Sequence, residues 1–155
     1  MALTFKKILC PIDFDENSIG ALDAAAAIAR QSDATLEVLH VVPIVIQPGG
    51  SPIYVDVYSA EEQSSKAKLI ELAKWHLAEV KFELRTTVGQ PAASILHAQK
   101  NLSADLIVMA THGRHGFAHL FLGSVAERVV REAECPVLTI RGHHAEANAS
   151  AQPEH

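Results

Sequence analysis

The sequence predicts an α/β protein of three layers, in which helices cover both faces of a doubly wound, five-stranded parallel sheet. Three observations lead to this prediction. Five short apolar runs of strand length alternate along the chain with four longer segments of helical periodicity. Two of these runs are apolar on both faces, which is typical of parallel strands covered by helices. The length of 155 residues, of which 48% are hydrophobic, suits a single domain with a core of its own.

The first elements are a strand, a helix and a second strand. Residues 6–12 form a short apolar run that predicts a buried strand. Residues 15–34 carry apolar residues at helical spacing, and Asp15 and Asn17 are the candidates for capping the helix. Residues 35–42 then predict the second strand.

A long connection and an edge strand follow. The segment 43–58 contains three prolines and a Gly-Gly pair, which predicts a loop. Ser59 and Glu62 have the spacing of a capping box, so we expect a helix from Ser59 to about residue 80. Residues 81–88 alternate polar and apolar side chains, as a strand at the edge of a sheet does.

The remaining elements follow in the same order. Pro91 marks the start of a third helix, because the missing amide costs little at that position. Residues 104–110 predict the most buried strand, 123–134 a fourth helix and 136–141 the last strand. We therefore expect one domain over residues 1–141, followed by a frayed tail over 142–155.

Composition excludes several classes of function. The formal net charge of -5 argues against a broad nucleic-acid or membrane-surface role, since both need a basic face. Cys10 and Cys135 are the only cysteines, which suggests buried thiols in a reducing compartment. Lys6 and Lys7 interrupt the first apolar stretch, which is therefore too short for a signal peptide. We expect a cytoplasmic protein.

The predicted topology indicates where a ligand would bind. In doubly wound sheets, ligands lie beyond the carboxyl ends of the strands, where the strand order reverses. That rule selects the segments 11–15, 40–43 and 110–124. In the first, Asp13 could accept hydrogen bonds from ribose hydroxyls, or it could only precede and cap the helix. In the second, Val41 could contact a planar base, or it could be an ordinary core residue.

The connection before the fourth helix has the features of a phosphate-binding turn. It contains Gly113, Gly116 and Gly123, and it ends at a helix N-terminus, where unpaired amides and the helix dipole attract anions. Ser124 could donate its hydroxyl to a phosphate oxygen, and Arg114 adds positive charge.

The same region also permits other interpretations. Ser124 and Glu127 have capping-box spacing, so helix formation alone could account for the serine. Three histidines, at positions 112, 115 and 119, lack a cysteine or carboxylate close by, so no metal site is predicted. The chain contains neither the Walker A pattern nor G-x-G-x-x-G, and we find no catalytic constellation.

At this point the sequence resembles the universal stress protein family. The segment at 110–141 is similar to its C-terminal signature, KKILCPIDFDENS is similar to its opening strand and turn, and the resemblance covers about residues 3–141. ATP-binding members carry G-x2-G-x9-G-[ST]. Gly113, Gly123 and Ser124 match that pattern, whereas Ala110 replaces its first glycine.

The resemblance implies a nucleotide site and a dimer. It implies the strand order 3-2-1-4-5, dimerisation through strand 136–141, and an ATP or AMP ligand, with Mg²⁺ in the case of ATP. Asp13 would lie near ribose and the Val41 backbone near adenine. The residues that the resemblance and the glycine turn together assign to the site are Pro11, Ile12, Asp13, Val41, Met109, Ala110, Gly113, Arg114, Gly123, Ser124 and Val125.

The expected function is that of a stress-response sensor or regulator that binds an adenine nucleotide. Two alternatives remain at the level of sequence. One is a dimeric interaction protein of the same fold that binds no nucleotide, for which Ala110 would be a sign. The other is a slow ATP hydrolase, which would need a base and a metal that the sequence does not identify.

Overall fold

The structure is a computed structural model that describes residues 3–44, 54–111 and 122–142, with the backbone alone described at 54–56. Within these ranges, strands and helices alternate without exception. They are β1 (Lys7–Ile12), α1 (Glu16–Ser32), β2 (Thr35–Pro43), α2 (Tyr54–His76), β3 (Lys81–Gly89), α3 (Pro91–Leu102), β4 (Leu106–Ala110), α4 (Ser124–Glu132) and β5 (Val137–Ile140). The predicted order of elements is confirmed.

The five strands form one parallel sheet in the order β3-β2-β1-β4-β5. β1 lies between β2 and β4, and β3 forms one edge of the sheet, as expected from its alternating sequence. Since the chain winds outwards from β1 in both directions, the strand order reverses between β1 and β4. The predicted doubly wound α/β class and its strand order are both confirmed.

The core consists of two aliphatic layers, one on each face of the sheet. Alternate residues of β1 separate them, because successive strand side chains point to opposite faces. Ile8 and Cys10 pack with α1 and α2, whereas Leu9 packs with α3 and α4. Cys135 contacts the second layer, and neither cysteine forms a disulfide. The two thiols thus belong to opposite faces.

Helix α2 differs from the prediction at both ends. It begins at Tyr54 rather than Ser59, so Ser59 and Glu62 are interior helical residues and the predicted capping box does not form. No glycine or proline separates Tyr54 from Ser59, and the helix can therefore extend toward the amino terminus. It ends at His76 rather than near residue 80. The Arg30 guanidinium donates hydrogen bonds to the carbonyl oxygens of His76 and Ala78, where the helix stops.

The other boundaries move by one or two residues. β4 begins at Leu106 rather than residue 104 because Ala104 belongs to the turn that follows α3. Ser103 caps α3 in the left-handed conformation, and the Ala104 amide bonds back to Gln99. Residues 45–53, 112–121 and 143–155 lie outside the described part, and with them most of the predicted loop and tail. None of the described helices has both the length and the hydropathy needed to cross a bilayer.

Candidate functional site

A cavity of about 500 Å³ opens at the carboxyl edge of the sheet, where the strand order reverses. Its walls come from the carboxyl ends of β1, β2 and β4, the amino ends of α3 and α4, and one face of α2. The size lies in the range of small-molecule sites, and the position is the one expected for ligands of open α/β sheets. This cavity is therefore the candidate functional site.

Nine of the predicted site residues line this one cavity. They are Pro11, Ile12, Asp13, Val41, Met109, Ala110, Gly123, Ser124 and Val125. The other two, Gly113 and Arg114, lie outside the described residues. Positions separated by up to about a hundred residues in the sequence thus meet at one edge of the sheet, as the topology requires.

One wall of the cavity is apolar. Met109 is 5% exposed and Val41 is 8% exposed, and both belong to the core layer beneath α3 and α4. Pro11, Ile95 and Val125 continue the same wall. An apolar surface of this kind can pack against the face of a planar base, while the strand ends supply backbone polar groups.

Asp13 occupies the turn between β1 and α1. Its Oδ1 accepts a hydrogen bond from the Asp15 amide at 3.1 Å, and its own amide donates to the Ser18 hydroxyl at 3.3 Å. Asp15 is the residue that caps α1, since its Oδ1 accepts from the Ser18 amide at 2.8 Å. Asp13 is therefore not the residue that caps the helix, since Asp15 does so. Asp13 supports the turn and lines the cavity.

The adjacent carboxylates affect each other. Partial burial raises the pKa of Asp15, and the nearby negative charge of Asp13 raises it further, while hydrogen bonds from the Ser18 and Asn17 amides oppose the shift. The turn therefore places the Asp13 carboxylate, which lines the cavity, next to a second carboxyl group.

The amino end of α4 presents backbone rather than a side-chain cap. Gly123 is the N-cap residue, its amide donates to the Thr111 carbonyl at 2.7 Å, and no side chain caps the helix. The predicted alternative of a Ser124–Glu127 capping box is therefore wrong, because Ser124 is already the first helical residue. Glu127 instead pairs with Arg131, one turn along the helix. Ser124 and the first amides of α4 remain at the cavity wall, in the field of the helix dipole.

Comparison with known proteins decides the family. The sequence profile of the universal stress protein family matches residues 4–141. The chain belongs to the universal stress protein family. Among its relatives, a universal stress protein of Methanocaldococcus jannaschii is 36% identical over 143 residues, covering 88% of this chain and 82% of the relative. A universal stress protein of Bacillus subtilis is 33% identical over 147 residues, covering 88% of this chain and 99% of the relative.

Solved structures of universal stress proteins share the fold. UspA of Lactobacillus plantarum matches with a TM-score of 0.78 at 25% identity, over 90% of this chain and 100% of that one. A crystal structure of a universal stress protein in complex with cAMP matches with a TM-score of 0.67 at 25% identity. That match covers 88% of this chain and 97% of the other. The three-layer fold is thus that of the family.

Sequence reasoning missed the α2 wall of the site in this universal stress protein. Four polar residues of α2, spaced at one helical face, line the cavity: Glu61, Ser64, Ser65 and Lys68. Their spacing is visible in the sequence, but a polar helical stripe ordinarily faces solvent, and only the packing of α2 turns it toward the site.

Two ring residues were also missed. Phe14 has φ 68°, a left-handed conformation that is uncommon for a bulky residue. Its ring lies 4.5 Å from the ring of His40, centroid to centroid. The buried His40 Nδ1 is 2.9 Å from the Ile12 carbonyl oxygen, a contact in which the ring nitrogen donates. These contacts fix the Phe14 ring at the cavity wall, directly after Asp13.

Proposed function

We propose that this universal stress protein binds an adenine nucleotide, ATP or AMP, in the cavity at the carboxyl edge of the sheet. The observation that supports the proposal most strongly is the convergence of residues around the point where the strand order reverses. Nine positions that the sequence predicts for the site line a single cavity there. A structural relative also supports the proposal, because a universal stress protein of similar fold has been crystallised in complex with cAMP.

The lining offers a suitable partner for each part of a nucleotide. The base would pack against the apolar wall, with its edge toward the Val41 backbone. The Asp13 carboxylate would accept hydrogen bonds from ribose hydroxyls. Phosphates would meet the uncapped amino end of α4, with Gly123 and the Ser124 hydroxyl. Mg²⁺, when it accompanies ATP, would neutralise phosphate charge. Gly113 and Arg114 remain predicted members of the site.

In the cell, we propose, the nucleotide sets the state of a cytoplasmic stress-response sensor or regulator. The proposal is one of binding, and it assigns no hydrolytic step. Association of two chains through strand 136–141 belongs to the same proposal. The exposed edge strand β5 supports it, because Leu138 is 40% exposed and the strand ends the sheet. Neither nucleic acid nor a membrane surface is among the partners we propose, given the net charge of -5.

Thermal unfolding with and without nucleotide tests the proposal. A ligand present at 100 times its dissociation constant stabilises the folded state by about 2.7 kcal/mol. For a domain of this size that corresponds to a rise in melting temperature of about 5–10 °C. We expect this rise with Mg-ATP or AMP, and not with GTP.

A variant at the helix N-terminus provides the control. In Gly123→Val, an added isopropyl group beside Ser124 should abolish the nucleotide-induced rise while the variant still unfolds cooperatively. If neither adenine nucleotide raises the melting temperature of the wild type, the alternative of an interaction protein without nucleotide is favoured.

A further inference from the structure

Lys68 differs from the other described lysines of α2 in having no carboxylate partner. Lys66 pairs with Glu62 at 3.6 Å, and Lys74 pairs with Glu71 at 2.7 Å. Lys68 forms no ion pair with any carboxylate of the described chain; its ammonium instead lies 5.4 Å from the centroid of the Phe14 ring. A cation over an aromatic face is weakly held at an exposed position, so the ammonium is available to a ligand.

Lys68 is also the only lysine or arginine among the described residues that line the cavity. Glu61, Ser64 and Ser65 share its face of α2, at helical spacings of three, four and seven residues. Ser65 is 3% exposed, so it belongs to the cavity wall rather than to the outer surface. Glu61 lies two turns from Lys68, about 10 Å along the helix axis. The carboxyl-terminal half of this stripe therefore presents two hydroxyls and an ammonium.

The position of Lys68 separates it from the other anion-binding feature of the cavity. Helices α1 and α2 pack on one face of the sheet, and α3 and α4 pack on the opposite face. The amino end of α4, with Ser124, and the ammonium of Lys68 therefore border the cavity from opposite faces. One phosphate chain bound along α4 would leave Lys68 without an anion.

The neighbours of Lys68 indicate which part of a nucleotide it would meet. Its ammonium lies over Phe14, the residue directly after Asp13. Asp13 is the group to which we assign the ribose hydroxyls, so this step rests on the proposed function. The space next to those hydroxyls on the α2 side is bordered by Lys68, Ser64 and Ser65.

We propose that Lys68 forms a second anion subsite, which binds a phosphate carried on the 2′ or 3′ position of the ribose. The hydroxyls of Ser64 and Ser65 assist as hydrogen-bond donors. The chain would then prefer an adenosine bisphosphate, which carries anions on both sides of the ribose, to AMP. Electrostatic attraction at an exposed lysine supports a preference of about fivefold.

Calorimetric titration of nucleotide-free protein tests this preference. The ligands are AMP, adenosine 2′,5′-bisphosphate and adenosine 3′,5′-bisphosphate, each titrated into the wild type, Lys68→Gln and Lys66→Gln. Lys66 is the matched control, because it lies on the same helix but pairs with Glu62 and does not line the cavity. We expect at least one bisphosphate to bind the wild type and Lys66→Gln about fivefold more tightly than AMP. The identity of that bisphosphate distinguishes the 2′ from the 3′ position.

In Lys68→Gln, the dissociation constant of AMP should be less than twice that of the preferred bisphosphate. Lys68→Arg, which keeps the positive charge, should retain the preference of the wild type. The inference is overturned if the wild type binds AMP but shows no preference, or if the preference persists in Lys68→Gln. If the wild type binds none of the three ligands, this inference is overturned. The proposed nucleotide function fails with it only if Mg-ATP, titrated in the same way, also does not bind.

Discussion

Neighbouring carboxylates in the β1–α1 turn have different roles, although the sequence alone does not distinguish them. The Asp15 carboxylate accepts a hydrogen bond from an amide of α1. The Asp13 carboxylate accepts one from the Asp15 amide within the turn, and Asp13 also lines the cavity. The second oxygen of Asp13 is thus the natural acceptor for a ligand hydroxyl. Two aspartates close in the sequence therefore have different roles, and only their hydrogen bonds distinguish the helix cap from the cavity residue.

Replacing Asp13 with asparagine should weaken nucleotide binding without unfolding the turn. The asparagine oxygen can still accept from the Asp15 amide, but a neutral acceptor binds a ribose hydroxyl less strongly than a carboxylate does. We expect AMP affinity to fall about fivefold, which corresponds to about 1 kcal/mol. Asp23→Asn on α1 is the control, because Asp23 pairs with His76 and does not line the cavity. Equal affinity in Asp13→Asn and Asp23→Asn would remove Asp13 from the ribose site.

At the scale of the element, the start of α1 links helix capping to the cavity. The Asp15 carboxylate accepts a hydrogen bond from the Ser18 amide, and the Ser18 hydroxyl donates one to the Asp15 carbonyl at 3.1 Å. This capping arrangement holds Asp13 and Phe14 in place, directly before the helix begins. The geometry of the site therefore depends on a helix N-terminus that also contributes to stability.

Two substitutions at Asp15 should separate the cap from its charge. Asp15→Ala removes the cap, so urea unfolding at pH 7 should show a loss of about 1 kcal/mol. Asp15→Asn keeps an acceptor of equal capping quality and should be at least as stable as the wild type at pH 7. If Asp15→Asn and Asp15→Ala lose the same stability, the side-chain cap is not what stabilises this end of α1.

The pH dependence of the same variants follows from the raised pKa of Asp15. A carboxyl whose pKa is higher in the folded state than in the unfolded chain binds more protons when folded. Its ionisation therefore lowers the free energy of unfolding as the pH rises from the ordinary value of 3.8 through the raised pKa. Any excess in the free energy of unfolding of Asp15→Asn over that of the wild type should disappear as the pH falls below that window.

At the scale of the whole molecule, the two edges of the sheet differ in chemistry. β3 presents charged residues, among them Lys81, Glu83 and Arg85, and the last of these pairs with the buried Glu37. β5 is short and mainly aliphatic, with Leu138 40% exposed. Charge protects an edge strand against pairing, whereas an apolar edge invites it. This difference supports β5 rather than β3 as the strand through which we propose that two chains associate.

Sedimentation velocity of two lysine variants tests that choice of edge. Phe82 on β3 and Leu138 on β5 are each 40% exposed, so the substitutions place a charge at sites of equal exposure. We expect the wild type and Phe82→Lys to sediment as dimers and Leu138→Lys as a monomer, since a buried unpaired charge opposes association. A monomeric wild type, or a dimer that persists in Leu138→Lys, would exclude the β5 interface.

Local sequence signals predicted most of the fold and nine residues that line the cavity. The strand runs, the Pro91 start of α3 and the glycine before α4 depend on neighbouring residues, and each was found where predicted. The starts of α2 and β4 were wrong for local reasons: no glycine or proline stops α2 between Tyr54 and Ser59, and the turn that ends α3 at Ser103 delays β4. Lys68 was missed because its place at the cavity wall depends on which way α2 faces, and that is set by packing over a long sequence separation.

Nucleotide binding can be measured directly by equilibrium dialysis of nucleotide-free protein against labelled AMP and labelled ATP. We expect saturable binding that approaches one adenine nucleotide per chain for at least one of the two. Excess unlabelled adenine nucleotide should displace the label, GTP should not, and Gly123→Val should bind neither nucleotide. If folded wild-type protein shows no saturable binding at millimolar AMP and Mg-ATP, the cavity is not an adenine-nucleotide site.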